Sequence, residues 1–302
     1  MRIMVYCALV YCMKRTQTVL FFCAIMIVSL IPISPVRACT IWAATGEQVK
    51  GKGSLIAKNR DNLSHLYSVL KTVSPEKGIP FYGLFDIEAD GYVTAGINEQ
   101  GLVVVNSAAN SVPRNKRLVA TEDLTQRLLT SFSSVNAVLS EKNLFQESHP
   151  ALYIIGDASK IASIEVAPGG KISVTVKEKG TLVLTNHYTN PELTGANEQS
   201  STGSFMRLKR IQYLIARQAS PFTHDDFIAF SNDRNGGSEG ALWQTPGVSG
   251  TIRTLASWII YMPPDRRPPV LHVKLANPNE LERTTTITFD SAFWKQRKAA
   301  EP

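Results

Sequence analysis

The residue with the most distinctive chemical potential is Cys39, because a segment with the features of a secretory signal peptide ends immediately before it. Two basic residues, Lys14 and Arg15, are followed by an apolar run over residues 19–31 that is too short for a membrane-spanning helix. Val36-Arg37-Ala38 then places modest or small side chains three residues and one residue before a cleavage point. We therefore expect residues 1–38 to be removed, leaving 39–302 as one periplasmic or secreted domain that is no longer attached to the membrane. The alternative is an N-terminal anchor that is not cleaved.

Cleavage after Ala38 would give Cys39 two reactive groups on one residue. Its thiol is a nucleophile, and its free α-amine, with an ordinary pKa of about 7.7–8.0, can take the thiol proton near neutral pH. The other three cysteines lie in the predicted signal peptide, so the mature chain would form no internal disulfide. Two other uses stay open: Cys39 could carry the lipid of an envelope lipoprotein, although Arg37 is bulky for that signal, or it could be a buried structural thiol.

Short motifs downstream of Cys39 resemble those of the N-terminal-nucleophile hydrolases that use cysteine. The related groups are the choloylglycine hydrolases and penicillin V acylases, the acyl-coenzyme A:6-aminopenicillanate acyltransferases and the secreted-type dipeptidases. The matching segments are Cys39-Thr40-Ile41-Trp42, Lys58-Asn59-Arg60-Asp61, Gly96-Ile97-Asn98-Glu99-Gln100-Gly101-Leu102, Thr185-Asn186-His187 and Ser204-Phe205-Met206-Arg207-Leu208. Each motif alone is weak, but five in the family's order behind a newly exposed cysteine form a specific pattern.

The resemblance implies a role for each matching residue. Cys39 is the nucleophile, and Asp61 is the acid that holds its amine and thiol in place. Asn186 matches the side-chain donor of the oxyanion hole, and Arg207 matches an arginine that supports the active-site network. Arg207 begins a helix, where the macrodipole disfavours a cation, so a partner is expected. Asn106, at the end of an apolar strand, is a candidate second polar contact in the substrate pocket, and Ala108 and Asn110 compete for the same role.

The chain departs from the choloylglycine hydrolases at Lys58, where that group has an arginine. Lysine cannot reproduce a bidentate guanidinium fork, so the local network must differ. Side chains alternate between the two faces of a strand, so only one of the pairs Lys58/Arg60 and Asn59/Asp61 can face the site. We expect Asn59 and Asp61 to face it.

A different enzyme mechanism would pair the thiol with a histidine, as in papain. His187 would then be the base, but this reading leaves the terminal position of Cys39 unexplained. The five histidines show no metal-ligand spacing, and with no second mature cysteine we expect no metal site. We also expect no cofactor, because the chain contains no P-loop and no dinucleotide-binding fingerprint.

The elements that must position these residues form an α+β pattern of many antiparallel strands with helices grouped between them. The predicted strands cover 40–44, 54–59, 93–97, 102–106, 151–156, 161–166, 171–177, 181–185, 253–261, 270–275 and 284–289, and the predicted helices cover 121–132, 134–142, 204–218 and 223–230. Thr121 and Thr223 are the expected N-caps of the first and last of these helices. The resemblance implies a four-layer αββα sandwich, with specificity loops near 67–86, 111–118 and 232–250.

Composition excludes several classes of function. A hydrophobic content of 44% is enough for a sizeable core, and outside the first 38 residues the net charge is only +3, so a nucleic-acid-binding protein is not expected. The resemblance implies hydrolysis of linear amides in small N-acyl compounds, such as penicillin V, bile-salt conjugates or acyl-homoserine lactones. A dipeptidase activity is the near alternative. Relatives are often oligomeric, so a homodimer or homotetramer is expected.

Overall fold

The computed structural model describes residues 38–87, 91–117, 123–141, 143–146, 148–199, 202–245 and 252–299. The predicted signal peptide up to Arg37 lies outside these residues, as do Thr121 and Lys142. Within them, no helix is both long enough and apolar enough to cross a membrane.

The first sheet carries Cys39 at its start and is antiparallel throughout. Its strand order is β10-β1-β2-β11-β12-β13, with β1 Thr40–Thr45, β2 Ser54–Leu63, β10 Gly180–Leu184, β11 Ile252–Met262, β12 Val270–Leu275 and β13 Arg283–Thr288. The β1–β2 hairpin requires Gly53, which has a φ of +82° and no room for a Cβ beside the carbonyl of Met262. This hairpin fixes the position of β2 beside the residue that precedes β1.

The second sheet is a meander of seven consecutive antiparallel strands. They are β3 Ser68–Val73, β4 Phe81–Asp86, β5 Tyr92–Asn98, β6 Val103–Ala108, β7 Ala151–Gly156, β8 Ile161–Ala167 and β9 Lys171–Lys177. The predicted turn over 98–101 joins β5 to β6. The prediction of a loop near 67–86 is wrong, since this segment forms β3 and β4. Every residue of β4 is buried, so its apolar run shows no alternation to mark a strand.

Helices cover the outer faces of both sheets, which confirms the four-layer αββα arrangement. One core, with Ile41, Ile56 and Val105 among its members, fills the space between the sheets. Helices α1 Leu124–Ser131 and α2 Val135–Ser140 pack on the outer face of the second sheet, whereas α3 Thr202–Arg217 and α4 His224–Ser231 pack on that of the first. The short α5 (Gly237–Gly240) and the C-terminal α6 (Ser291–Ala299) complete the described helices.

Two helix starts can be compared with the predicted caps. Thr223 caps α4 as predicted, and its hydroxyl and the Asp226 carboxylate form a reciprocal capping box. The prediction of Thr121 as the cap of α1 is wrong. That helix begins at Leu124, and the Asp123 carboxylate accepts hydrogen bonds from the backbone nitrogens of Thr125 and Gln126.

Candidate active site

Cys39 lies immediately before β1, in the interior of the protein. Its side chain is only 4% exposed, and its backbone nitrogen donates a hydrogen bond of 3.0 Å to Asn186 Oδ1. The Sγ atom lies 3.9 Å from the carbonyl oxygen of Asp61. Of the predicted site residues, Asp61 and Asn186 therefore contact Cys39 directly.

Asn186 connects three layers of the fold at this point. Its Oδ1 also accepts from Arg207 Nη2 of α3 at 2.8 Å, and its Nδ2 donates to Ser107 Oγ at 2.8 Å and to the Ala108 carbonyl at 3.0 Å on β6. Both Nδ2 hydrogens are thus directed at the second sheet. The oxyanion role of Asn186 stays a prediction, and the role visible in the structure is to hold the Cys39 nitrogen.

Asp61 is a fully buried carboxylate with one oxygen free of hydrogen bonds. Its Oδ1 accepts from Thr254 Oγ1 at 2.7 Å, whereas no group bonds to Oδ2. Burial raises the pKa of Asp61 to about 6, although the positive charge of Arg207 acts in the opposite direction. The backbone carbonyl of Asp61 is the group that contacts Cys39, and the unpartnered oxygen of its carboxylate is suited to bind a cationic group such as a protonated α-amine.

Arg207 lies in the second turn of α3 and is almost completely buried. Besides Asn186, it contacts the Glu239 carbonyl through Nη1 at 3.4 Å. Burial lowers its pKa, while the nearby Asp61 and Cys39 raise it. The guanidinium therefore supplies positive charge on the helical side of the site, where Asp61 also lies.

The two faces of β2 serve different sides of the site. Lys58 and Arg60 line a cavity together with Cys39, whereas the Nδ2 of Asn59 donates to the Ser231 and Leu242 carbonyls in the helical layer. The prediction that Asn59 and Asp61 are the pair that faces the site is therefore wrong for the cavity beside Cys39. Asp61 supports Cys39 from the opposite face of the sheet.

The core residues of β1 and β2 explain this orientation. Ile41 and Ile56 belong to the core between the sheets, whereas their neighbours Trp42 and Ala57 belong to the core under α3 and α4. Cys39 is two residues before Ile41, and the even-numbered residues of β2 share the face of Ile56. The thiol consequently faces the space between the sheets.

The cavity beside Cys39 has a volume of about 470 Å³, which suits a small molecule. It lies where β5 and β6 separate, since the last backbone pair between these strands is Ala95–Val105. Its walls include both charged residues and apolar or aromatic residues: Lys58, Arg60, Asp86, Arg114, Arg117, Asp123, Tyr92, Val93, Leu124 and Tyr153. Among the described residues, no group of three or more His, Cys, Asp or Glu side chains could hold a metal ion.

Asn106 lines this cavity, as predicted for a pocket residue, but its side chain is already bonded. Its Oδ1 accepts from Lys58 Nζ at 3.0 Å, and its Nδ2 donates to the Val93 carbonyl at 2.9 Å and to Thr125 Oγ1 at 2.7 Å. A second buried polar contact joins Arg60 to the Asp86 carboxylate. Direct substrate contact by Asn106 stays a prediction.

The structure does not support His187 as a papain-type base. Its Nδ1 lies 2.7 Å from Ser204 Oγ and 3.2 Å from Thr185 Oγ1, and burial lowers its pKa to about 4. We expect His187→Gln to keep kcat within about tenfold of the unchanged enzyme, because loss of a true general base costs about 10²–10⁴-fold. Steady-state amide cleavage at pH 7 tests this. A thousandfold loss of kcat in a folded variant would support the mechanism in which His187 is the base.

Sequence reasoning did not identify Ser107 or Thr254 as parts of the site, and it considered Ala108 only as an alternative to Asn106. Ser107 and Ala108 fix the Asn186 amide, and Thr254 bonds to Asp61 across the β2–β11 pair. The available signal was the polar Asn106 after the apolar run of β6, which did not indicate Ser107. The pairing of β2 with β11 brings together Asp61 and Thr254, which are 193 positions apart. No local sequence pattern predicts such a pairing.

Comparison with known proteins identifies the family to which this chain belongs. The family described as acyl-coenzyme A:6-aminopenicillanic acid acyl-transferase matches residues 49–279. A search of curated proteins gives no significant match.

Similar solved structures include penicillin V acylase from Agrobacterium tumefaciens, at 18% identity over 83% of this chain and 86% of that chain, with a TM-score of 0.49. Two variants of conjugated bile acid hydrolase from Clostridium perfringens are 14% and 13% identical over 83% of this chain and 92% of theirs, with TM-scores of 0.49 and 0.48. The family match covers more than half of the chain. This protein therefore belongs to the acyl-coenzyme A:6-aminopenicillanic acid acyl-transferase family and is accordingly an enzyme.

Proposed function

We propose that removal of residues 1–38 exposes Cys39 and that the mature enzyme hydrolyses the amide bond of small N-acyl compounds in the periplasm or outside the cell. The observation that carries this proposal is the environment of the Cys39 nitrogen. Asn186 Oδ1 already accepts a hydrogen bond from it, and the adjacent Asp61 keeps one buried carboxylate oxygen unpartnered. A free α-amine has more hydrogens than a peptide nitrogen and can use both acceptors.

The reaction that fits these groups proceeds through a thioester. Cys39 Sγ bonds to the amide carbon while its proton moves to the Cys39 α-amine, and that proton then passes to the leaving nitrogen as the C–N bond breaks. Water next attacks the thioester, which releases the acid and restores the thiol. Acyl transfer from an acyl-coenzyme A is not proposed, because an exported enzyme would not meet that donor.

The same environment argues against a lipoprotein anchored at Cys39. Attachment of diacylglycerol would require the Sγ atom to reach the membrane, whereas the Cys39 side chain is 4% exposed and lies against Asp61. N-terminal sequencing and intact mass of the exported protein separate the two functions. We expect an unmodified chain beginning at Cys39, and a diacylglycerol adduct or another first residue would contradict the proposal.

The substrate class needs a direct assay on the mature enzyme. Amine release should be measured with penicillin V, glycine- and taurine-conjugated bile salts, N-acyl-homoserine lactones and simple dipeptides at pH 7. We expect turnover of at least one N-acyl compound, and cleavage of dipeptides alone would favour the dipeptidase reading. The expected dimer or tetramer is tested separately by light scattering.

A further inference from the structure

Lys58 is a buried cation that links the two sheets next to Cys39. It extends from β2 in the first sheet, and its Nζ donates to the Thr94 carbonyl at 2.9 Å, the Asn106 carbonyl at 2.6 Å and Asn106 Oδ1 at 3.0 Å in the second. An ammonium group has three hydrogens, so these three acceptors use all of them. The whole side chain is inaccessible to solvent.

The position of this ammonium coincides with the end of the β5–β6 ladder. Backbone pairing runs from Ile97–Val103 to Ala95–Val105, and the next opposed residues are Thr94 and Asn106. Their carbonyl oxygens bond to Lys58 Nζ. The lysine thus replaces a strand-to-strand contact at the point where the two strands separate and the cavity begins.

A short series of bonds connects this point with the nucleophile. Ser107 and Ala108 directly follow Asn106 on β6, and both accept hydrogen bonds from Asn186 Nδ2. Asn186 Oδ1 in turn accepts from the Cys39 nitrogen. A displacement of Asn106 would therefore reach the Cys39 amine through one intervening side chain.

We propose that Lys58 is a positioning residue, whose ammonium holds Asn106 and the following two residues so that Asn186 fixes the Cys39 nitrogen. This inference rests on the proposed function, since it concerns the geometry of the nucleophile in the mature enzyme. It also gives a reason why this chain can use lysine where the choloylglycine hydrolases have an arginine. Three acceptors that converge on one atom match an ammonium better than a planar guanidinium.

The protonation state of Lys58 bears on this role. Burial lowers its pKa to about 8, while the nearby Cys39, Asp86 and Asp61 raise it and Arg60 lowers it. Asp123, His149 and Tyr153 are the further titratable groups across the cavity. A neutral amine has two hydrogens for three acceptors. The hydrogen bonds from Lys58 to Thr94 and Asn106 therefore weaken as the pH rises through about 8.

The test compares Lys58→Met and Lys58→Arg with the surface control Lys160→Met, which breaks an ion pair with Glu178 outside the cavity. We expect Lys58→Met to lower kcat by about 100-fold with little change in KM, because a small displacement of reacting groups costs that much. Lys58→Arg should restore part of this loss and remove the fall in activity above pH 8, since a guanidinium stays charged. Lys160→Met should match the unchanged enzyme.

A second readout does not depend on the substrate. Cys39 is the only cysteine of the mature chain, so alkylation by iodoacetamide reports on it directly. We expect slower alkylation at pH 7 in Lys58→Met than in Lys58→Arg or the control, with all three folded by circular dichroism. The proposal is overturned if Lys58→Met keeps the control's kcat and alkylation rate, if the loss lies in KM alone, or if Lys58→Arg is no better than Lys58→Met.

The two proposals fail in different ways. If no substrate is turned over by the unchanged enzyme, the proposed function fails, whereas the alkylation comparison still decides the role of Lys58. If amide cleavage depends on Cys39 but Lys58→Met is unaffected, only the positioning role fails.

Discussion

Cys39→Ala should lower kcat for amide cleavage by about 10⁶-fold, which is the size of effect seen when the nucleophile of a covalent hydrolase is removed. Alanine leaves no atom that can bond to the amide carbon. The hydrogen bond from residue 39 to Asn186 uses the backbone nitrogen, so the variant should keep it and remain folded. Amine release and the unfolding temperature should be measured on the same exported preparation.

A chain that begins at Ala38 gives the matched control for this variant. It keeps the thiol of Cys39, but the nitrogen of Cys39 stays in a peptide bond and cannot accept a proton. We expect this form to be as inactive as Cys39→Ala. Turnover by Cys39→Ala would place the chemistry elsewhere, and turnover by the Ala38 form would show that the α-amine is not the base.

Asp61→Asn should have opposite effects on activity and stability. We expect kcat of the mature enzyme to fall by about 10⁴-fold, as when other carboxylates that orient a catalytic base are replaced by amides. The side-chain NH2 of the introduced asparagine is a donor, so it cannot accept a hydrogen bond from the Cys39 amine. Thr254 can still donate to the amide oxygen, so the fold should be kept.

The stability effect follows from the raised pKa of Asp61 in the chain that still contains Ala38. Because the folded-state pKa is about 6 and the ordinary value is 3.8, the folded chain binds more protons between these pH values. The free energy of unfolding therefore falls as the pH rises from 3.8 through 6. At pH 7 the charged form costs about 3 kcal/mol, so Asp61→Asn should stabilise this form by up to that amount.

Urea unfolding of the Ala38 form at pH 4 and pH 7 measures this difference, with the exposed Asp265→Asn as a control. The gain from Asp61→Asn should be present at pH 7 and largely absent at pH 4, where the buried carboxyl is already protonated. A variant that is less stable at pH 7 would show that Asp61 is held charged by Arg207 despite its burial.

The sequence was most informative where residues stand close together in the chain. The turn over 98–101 and the capping box of α4 depend on neighbouring residues, and both are present. The motif order also identified Cys39, Asp61, Asn186 and Arg207, which form one contiguous network in the structure. These predictions needed no knowledge of how distant strands pair.

The wrong predictions depended on packing between distant segments. Residues 54–62 of β2 are all buried, so no hydrophobic alternation shows which face meets the second sheet. The face of Lys58 and Arg60 was therefore not predictable from β2 alone. The orientation of the Asn186 amide is likewise set by Ser107, which lies 79 positions earlier in the chain.

The division of β2 into two faces has a consequence for how this enzyme could change its preference among amides. Cavity residues such as Tyr92, Leu124 and Tyr153 lie on the second sheet or its helix, whereas Asp61 and Arg207 lie behind the first sheet. Under the proposed function, substitutions in the cavity wall would alter acyl selectivity while Asp61 and Arg207 stay unchanged. A change of substrate would therefore require no compensating substitution behind Cys39.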